Sequence, residues 1–201
     1  MTVENIKEGS NLSAPFGQTS AAKAGSEARG GGPGRIFLVG FMGCGKSYWG
    51  RQLGPALGVP FIDLDERIEE HAGKSINDIF AEEGEEYFRQ LEKETLHLLT
   101  ESHSEFVMAT GGGTPCFYKN IDYMKEKGRT LWINCSVECL HARLLAERDR
   151  RPLVRDLGEE QLRAYIFRKF GDRRIFYQQA DVTVETDTLK LAHLLDKIAH
   201  A

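Results

Sequence analysis

The stretch Gly40-Phe41-Met42-Gly43-Cys44-Gly45-Lys46-Ser47 carries the residue types that hold a polyphosphate. It fits the spacing G-x-x-x-x-G-K-[ST]. Its glycines let the backbone double back and aim several N–H groups into one hollow, at the positive end of whatever helix follows. The nucleotide-binding positions read from it are Gly43, Cys44, Gly45, Lys46, Ser47 and Tyr48. Lys46 supplies a point charge for β- and γ-phosphates, and the Ser47 hydroxyl suits Mg²⁺. The dinucleotide fingerprint G-x-G-x-x-G fails, because Tyr48 stands where its last glycine belongs.

Four further groups could act beside a bound triphosphate. Asp63 and Asp65, read as the end of one short strand, share a face at that spacing. One carboxylate can hold magnesium through water while the other reaches an acceptor hydroxyl; a capping role for Asp65 is the plainer alternative. Arg89 has Glu92 three residues on, a spacing that by itself reads as a surface ion pair. Phe80 and Phe88 read as core or pocket wall. Gly111-Gly112-Gly113 follows an apolar run directly, which implies that the backbone there approaches something closely. In "RDRRPLVRD", the side chains of Arg148, Arg150, Arg151 and Arg155 crowd one loop. Such a loop can close over a nucleotide and stabilise charge on a transferred phosphoryl group.

Positioning these groups falls to an alternation of strands and helices. "RIFLVG", "VPFIDLD", "EFVMAT", "RTLWINC" and "ADVTVET" read as strands, and the segments between them as helices. Ser75 and Ser136 stand where helix caps are needed, and Gly58 where a helix closes. Five strands separated by helices imply an α/β fold, a parallel sheet covered on both faces. Ligands of such sheets gather beyond the C-terminal strand ends, where the glycine turn, the aspartates and the triple glycine all fall.

The chain of 201 residues suits one domain, and 41% hydrophobic residues suffice for a core. A net charge of −4 argues against a general nucleic-acid or anionic-membrane partner. No apolar run reaches the ~20 residues that span a bilayer. Cysteines 44, 116, 135 and 139 form neither a Cys-x-x-Cys pair nor a zinc spacing. Free thiols point to a reducing compartment, hence the cytoplasm. Residues 1–34, rich in Gly, Ser and Ala, read as a disordered tail, with the folded domain spanning 35–201. A monomer is expected.

The quoted pieces fall in a recognisable order. "GFMGCGKS", "FIDLDERIEEHAGKSINDIFAEEGEEYFRQLE", "VMATGGGTP", "RPLV" and "RRIFYQQADVTVET" resemble the shikimate kinase family in sequence and near its spacing, over nearly all of the chain beyond residue 34. The resemblance implies a three-layer P-loop kinase with a five-stranded parallel sheet, similar to nucleoside monophosphate kinases, with a mobile lid. It implies transfer of the ATP γ-phosphate to the 3-hydroxyl of shikimate, with Mg²⁺. Carried over, it makes Asp65 the contact to the shikimate hydroxyls and the candidate base, with Lys46 and Arg151 beside it in catalysis. Asp63 and Ser47 become the magnesium-side residues. Arg89 and Arg173 clamp the shikimate carboxylate, Gly111, Gly112 and Gly113 line its ring, and Arg151 is the lid arginine near the phosphates. Either Arg143 or Arg148 is the adenine-stacking arginine, with Arg143 preferred. The family pattern Arg-x-Pro-x-Tyr is replaced by Arg173-Arg174-Ile175-Phe176-Tyr177, where Arg173 keeps the spacing to the tyrosine and Arg174 competes for the assignment.

Overall fold

Five apolar runs become the five strands of one sheet, in the order β2-β3-β1-β4-β5 and parallel throughout. The computed structural model describes residues 34–147, 152–186 and 189–200. The strands are β1 (Arg35–Val39), β2 (Phe61–Asp63), β3 (Phe106–Ala109), β4 (Arg129–Asn134) and β5 (Val182–Glu185). Ile36 to Val39 and all of β3 are buried, which requires cover on both faces of the sheet. In register, Phe37 stands beside Met108 on one side and Thr130 on the other.

The helices are α1 (Lys46–Leu57), α2 (Leu64–Ala72), α3 (Ile76–Glu82), α4 (Gly84–Ser102), α5 (Asn120–Lys127), α6 (Val137–Ala146), α7 (Pro152–Arg155), α8 (Glu159–Tyr177) and α9 (Leu191–Ala199). A short 3-10 turn, Thr114–Cys116, follows β3. Helix α1 tolerates two interior glycines because β2 lies against it. A Cβ on Gly50 would stand 2.1 Å from the Phe61 ring, and one on Gly54 would stand 3.0 Å from the Val59 carbonyl oxygen. The propensity cost of each glycine, about 1 kcal/mol, is offset by this close helix–strand contact. Gly58, left-handed, then caps the helix through the carbonyls of Gly54 and Pro55. Ser75 and Ser136 cap α3 and α6 by accepting from the backbone N–H groups of Asp78 and Cys139.

One expected element is shorter than read. The strand through Asp65 ends at Asp63, and Asp65 lies in the first turn of α2. Asp63 is itself the cap, its carboxylate accepting from the Asp65 N–H at 3.2 Å. Strand therefore passes to helix with no loop between, and the two carboxylates are brought together by a cap rather than by strand alternation. The expected tail, residues 1–34, lies outside the described residues apart from Gly34, as do Arg148, Arg150 and Arg151 of the expected lid. No helix among the described residues is long and apolar enough to cross a membrane.

Candidate functional site

The turn after β1 needs its glycines. Gly40, Gly43 and Gly45 have φ of 139°, 78° and 99°, a region that side chains with a Cβ rarely enter. Lys46 opens α1 and folds back, its ammonium donating to the carbonyls of Gly40 at 2.7 Å and Phe41 at 2.9 Å. Ser47, next along, donates to Asp63 Oδ2 at 2.6 Å. Arg143, from α6, lies over the same turn and donates to the carbonyls of Gly43 and Cys44. These groups line one cleft of about 640 Å³, walled by Gly43, Gly45, Lys46, Tyr48, Trp49 and Arg143. Tyr48 is exposed, edge-on to Trp49. Cys44, also expected at the nucleotide, is not among the residues that wall this cleft. Its thiol is packed into the core and its N–H donates to the Phe41 carbonyl.

A second cavity of about 400 Å³ adjoins the first, sharing Met42, Ser47, Asp63, Asp65 and Gly112 with it. Its own walls include Phe80, Phe88, Arg89, Glu92, Gly113 and Arg173. The surface-pair reading of Arg89 and Glu92 is overturned here. Their side chains are 9% and 1% exposed, and they meet at 2.8 Å. The reason is packing from a distant segment: the Thr114 hydroxyl donates to Glu92 Oε1 at 2.5 Å. Glu85, largely exposed, accepts from Nε and NH2 of Arg89 at 3.3 and 3.2 Å. Among the two arginines left open by the sequence, Arg173 lines this cavity, with its guanidinium 5.7 Å from the Phe41 ring, while Arg174 is exposed.

The triple glycine is crowded by these side chains. A Cβ on Gly111 would stand 2.7 Å from Glu92 Oε1 and 2.9 Å from Asp65 Oδ1; one on Gly113 would stand 2.7 Å from the Arg89 guanidinium. Gly112 faces the turn after β1, where a Cβ would lie 3.2 Å from the Met42 nitrogen. Its carbonyl accepts the Tyr177 hydroxyl at 2.5 Å. Burial pushes the Asp65 carboxyl up to about 7, with Asp63 and Glu92 adding to the rise and Lys46 and Arg89 opposing it. A carboxyl so poised can take a proton from a hydroxyl near neutral pH.

Sequence reasoning missed three members of this assembly: Glu92 as a buried carboxylate, Thr114 as its partner, and Phe117, whose ring lies 4.4 Å from the Arg89 guanidinium. Glu92 had a signal in its spacing from Arg89, and Thr114 in its place directly after the glycines; Phe117 had none. The expected lid residues Arg148 and Arg151 lie outside the described residues.

The chain is similar to known kinases. The family model for shikimate kinase matches residues 42–201. The chain is 40% identical over 155 residues to a shikimate kinase of Parabacteroides distasonis, covering 77% of this chain and 89% of that one. It is 39% identical over 156 residues to a shikimate kinase of Bacteroides thetaiotaomicron, covering 78% and 89%. The crystal structure of shikimate kinase from Bacteroides thetaiotaomicron superposes with a TM-score of 0.75 at 36% identity, covering 83% of this chain and 94% of that one. A shikimate kinase from Acinetobacter baumannii in complex with shikimate does so at 0.71 and 34%, covering 83% and 91%. A phosphate-binding turn, a paired acidic strand end and a triple glycine, laid on one parallel sheet and matched over most of the chain, have one explanation: the chain belongs to the shikimate kinase family.

Proposed function

We propose that this protein transfers the γ-phosphate of ATP to the 3-hydroxyl of shikimate, giving shikimate 3-phosphate and ADP. One observation carries the reading: the cleft at the phosphate-binding turn and the cavity holding Arg89, Asp65 and Arg173 share a wall. A phosphoryl group can therefore pass between them without leaving protein.

The acceptor carboxylate lies between Arg89 and Arg173, since a guanidinium meets a planar carboxylate with two parallel donors. Gly111, Gly112 and Gly113 line the ring. Asp65 orients the hydroxyl and takes its proton as the oxygen attacks the γ-phosphorus and the bond to the β-phosphate oxygen breaks. Lys46 leaves the carbonyls of Gly40 and Phe41 for the β- and γ-phosphates, and the backbone N–H groups of the turn hold the departing diphosphate. Arg143 lies against the adenine, and Arg151 closes with the lid and excludes water. Most of the rate enhancement comes from holding the reacting oxygens in line and stabilising charge.

Magnesium fits the donors present. Ser47 and Asp63 offer two oxygens 2.6 Å apart at the edge of the phosphate cleft. Among the described residues no group of three or more acidic, His or Cys side chains forms a metal cage, so an ion here draws most of its ligands from phosphate and water. When bound, it offsets the charge on the β- and γ-phosphate oxygens. The protein works as a monomer in the cytoplasm, where its four free cysteines stay reduced.

The test is ADP release by purified protein with shikimate, gluconate or a nucleoside monophosphate as acceptor. Release with shikimate, and shikimate 3-phosphate identified by mass, is expected. Turnover of another acceptor in its place would overturn the reading.

A further inference from the structure

The chain leaving Gly113 takes a costly route. After the turn Thr114–Cys116, residues 117–120 form a tight turn closed by the Asn120 N–H on the Phe117 carbonyl at 2.9 Å. Its central residues, Tyr118 and Lys119, have φ of 49° and 57°. Among the described residues they alone, apart from glycines, take positive φ. Two side chains with a Cβ in that region are disfavoured, and such a conformation persists only where surrounding contacts impose it. Here Asn120, buried, donates from Nδ2 to the Thr114 carbonyl at 3.1 Å, and the Lys93 ammonium of α4 stands 5.4 Å from the Tyr118 ring.

The segment from Thr114 into this turn reaches one guanidinium twice, directly through Phe117 and indirectly through Glu92. The Phe117 ring lies 4.4 Å from Arg89 Cζ, nearer than Phe88 at 5.0 Å or Phe80 at 5.9 Å. The Thr114 hydroxyl fixes Glu92 Oε1, and Glu92 Oε2 in turn accepts from Arg89 NH1 at 2.8 Å. The face of the guanidinium is thus set by a half-buried ring and one edge by a buried carboxylate. Among the described residues its remaining edge is hydrogen-bonded to the largely exposed Glu85, which can yield to a ligand.

We infer that Thr114 and Phe117 are positioning residues for Arg89, and that the left-handed turn at Tyr118 and Lys119 exists to set the Phe117 ring against it. This rests on the reading that Arg89 grips the acceptor carboxylate. A flexible arginine would spend binding energy on ordering its own side chain; one held by a ring face and a fixed carboxylate does not.

Steady-state kinetics on the full chain test this, with shikimate and with its methyl ester, in which the carboxylate is masked. Phe117→Leu keeps an apolar side chain but removes the ring. It should raise KM for shikimate roughly twofold to thirtyfold, with KM for ATP, kcat and the thermal midpoint unmoved. Phe117→Tyr should restore recognition. Thr114→Val should raise the same KM, and Thr114→Ser should restore it. An unchanged KM for shikimate in both Phe117→Leu and Thr114→Val overturns the inference, as does a rise only in step with KM for ATP and a falling thermal midpoint. The reading beneath it fails separately: Arg89→Ala would then keep the preference for the acid over the ester.

Discussion

The Ser47 hydroxyl donates to the Asp63 carboxylate at 2.6 Å, across the gap between the first turn of α1 and the end of β2. That hydrogen bond ties the phosphate-binding turn to the strand end that also leads into Asp65. Loss of the Asp63 charge should therefore weaken metal-dependent steps before it weakens the fold. Asp63→Asn should lower kcat by about tenfold to a hundredfold and raise the magnesium concentration needed for half-maximal rate. A magnesium titration at saturating ATP and shikimate checks both.

With Asp65 as the proposed base, its carboxyl sets the expected pH dependence. Its carboxyl is raised to about 7 by burial, then by Asp63 and Glu92. Proton acceptance needs the ionised form, so kcat/KM for shikimate should climb as pH rises to about 7 and level off above it. Asp65→Asn should abolish that limb and cut the rate by about 10²- to 10⁴-fold. The sign for stability is opposite. The folded carboxyl holds its proton more tightly than the unfolded one, so stability falls as pH rises from 3.8 to about 7. Thermal midpoints of wild type and Asp65→Asn should diverge across that window, with the variant ahead at its upper end.

Gly113→Ala should damage recognition more than folding. The new Cβ would meet the Arg89 guanidinium at 2.7 Å, and that side chain can move, although only by leaving Glu92. KM for shikimate should rise about tenfold to a hundredfold, the worth of a charged hydrogen bond, while KM for ATP stays put. Gly128→Ala is the contrast. Its Cβ would meet the Arg35 carbonyl oxygen at 2.4 Å, fixed backbone, so the thermal midpoint should drop and substrate affinities at low temperature should not change.

Arg143 bonds to the carbonyls of Gly43 and Cys44 from α6. Its removal takes away both a support for the turn and the proposed base contact. Arg143→Ala should raise KM for ATP by roughly tenfold and leave KM for shikimate within about twofold. Kinetics with each substrate varied at saturation of the other separate the two.

Much of this was legible in the sequence because it is written locally. The glycines, Lys46 and Ser47 follow one another, and the strands are apolar runs. Asp63 and Asp65 were found, but their arrangement was misread: the carboxylate of Asp63 captures the Asp65 N–H and starts a helix where alternation suggested more strand. The burial of Arg89 and Glu92 was not legible. An i,i+3 pair has the same spacing on a wet face as on a dry one; a hydroxyl 22 residues away decides. Likewise Arg173 and Arg174 differ only in helix rotation, which sends one to the cavity and the other to solvent. The turn at Tyr118 and Lys119 carries neither glycine nor asparagine at its left-handed positions, so no turn signal marks it.

The sheet order has a last consequence. The turn after β1 and the glycines after β3 leave adjacent, hydrogen-bonded strands, and they touch where Gly112 meets Met42. The separation of the two loops is thus inherited from the spacing of neighbouring strands, about 4.8 Å. Drift in surface residues cannot lengthen it. Changes in α3 and α4, which carry Phe80, Phe88 and Arg89, can reshape the second cavity while the approach of the two loops stays fixed by the backbone.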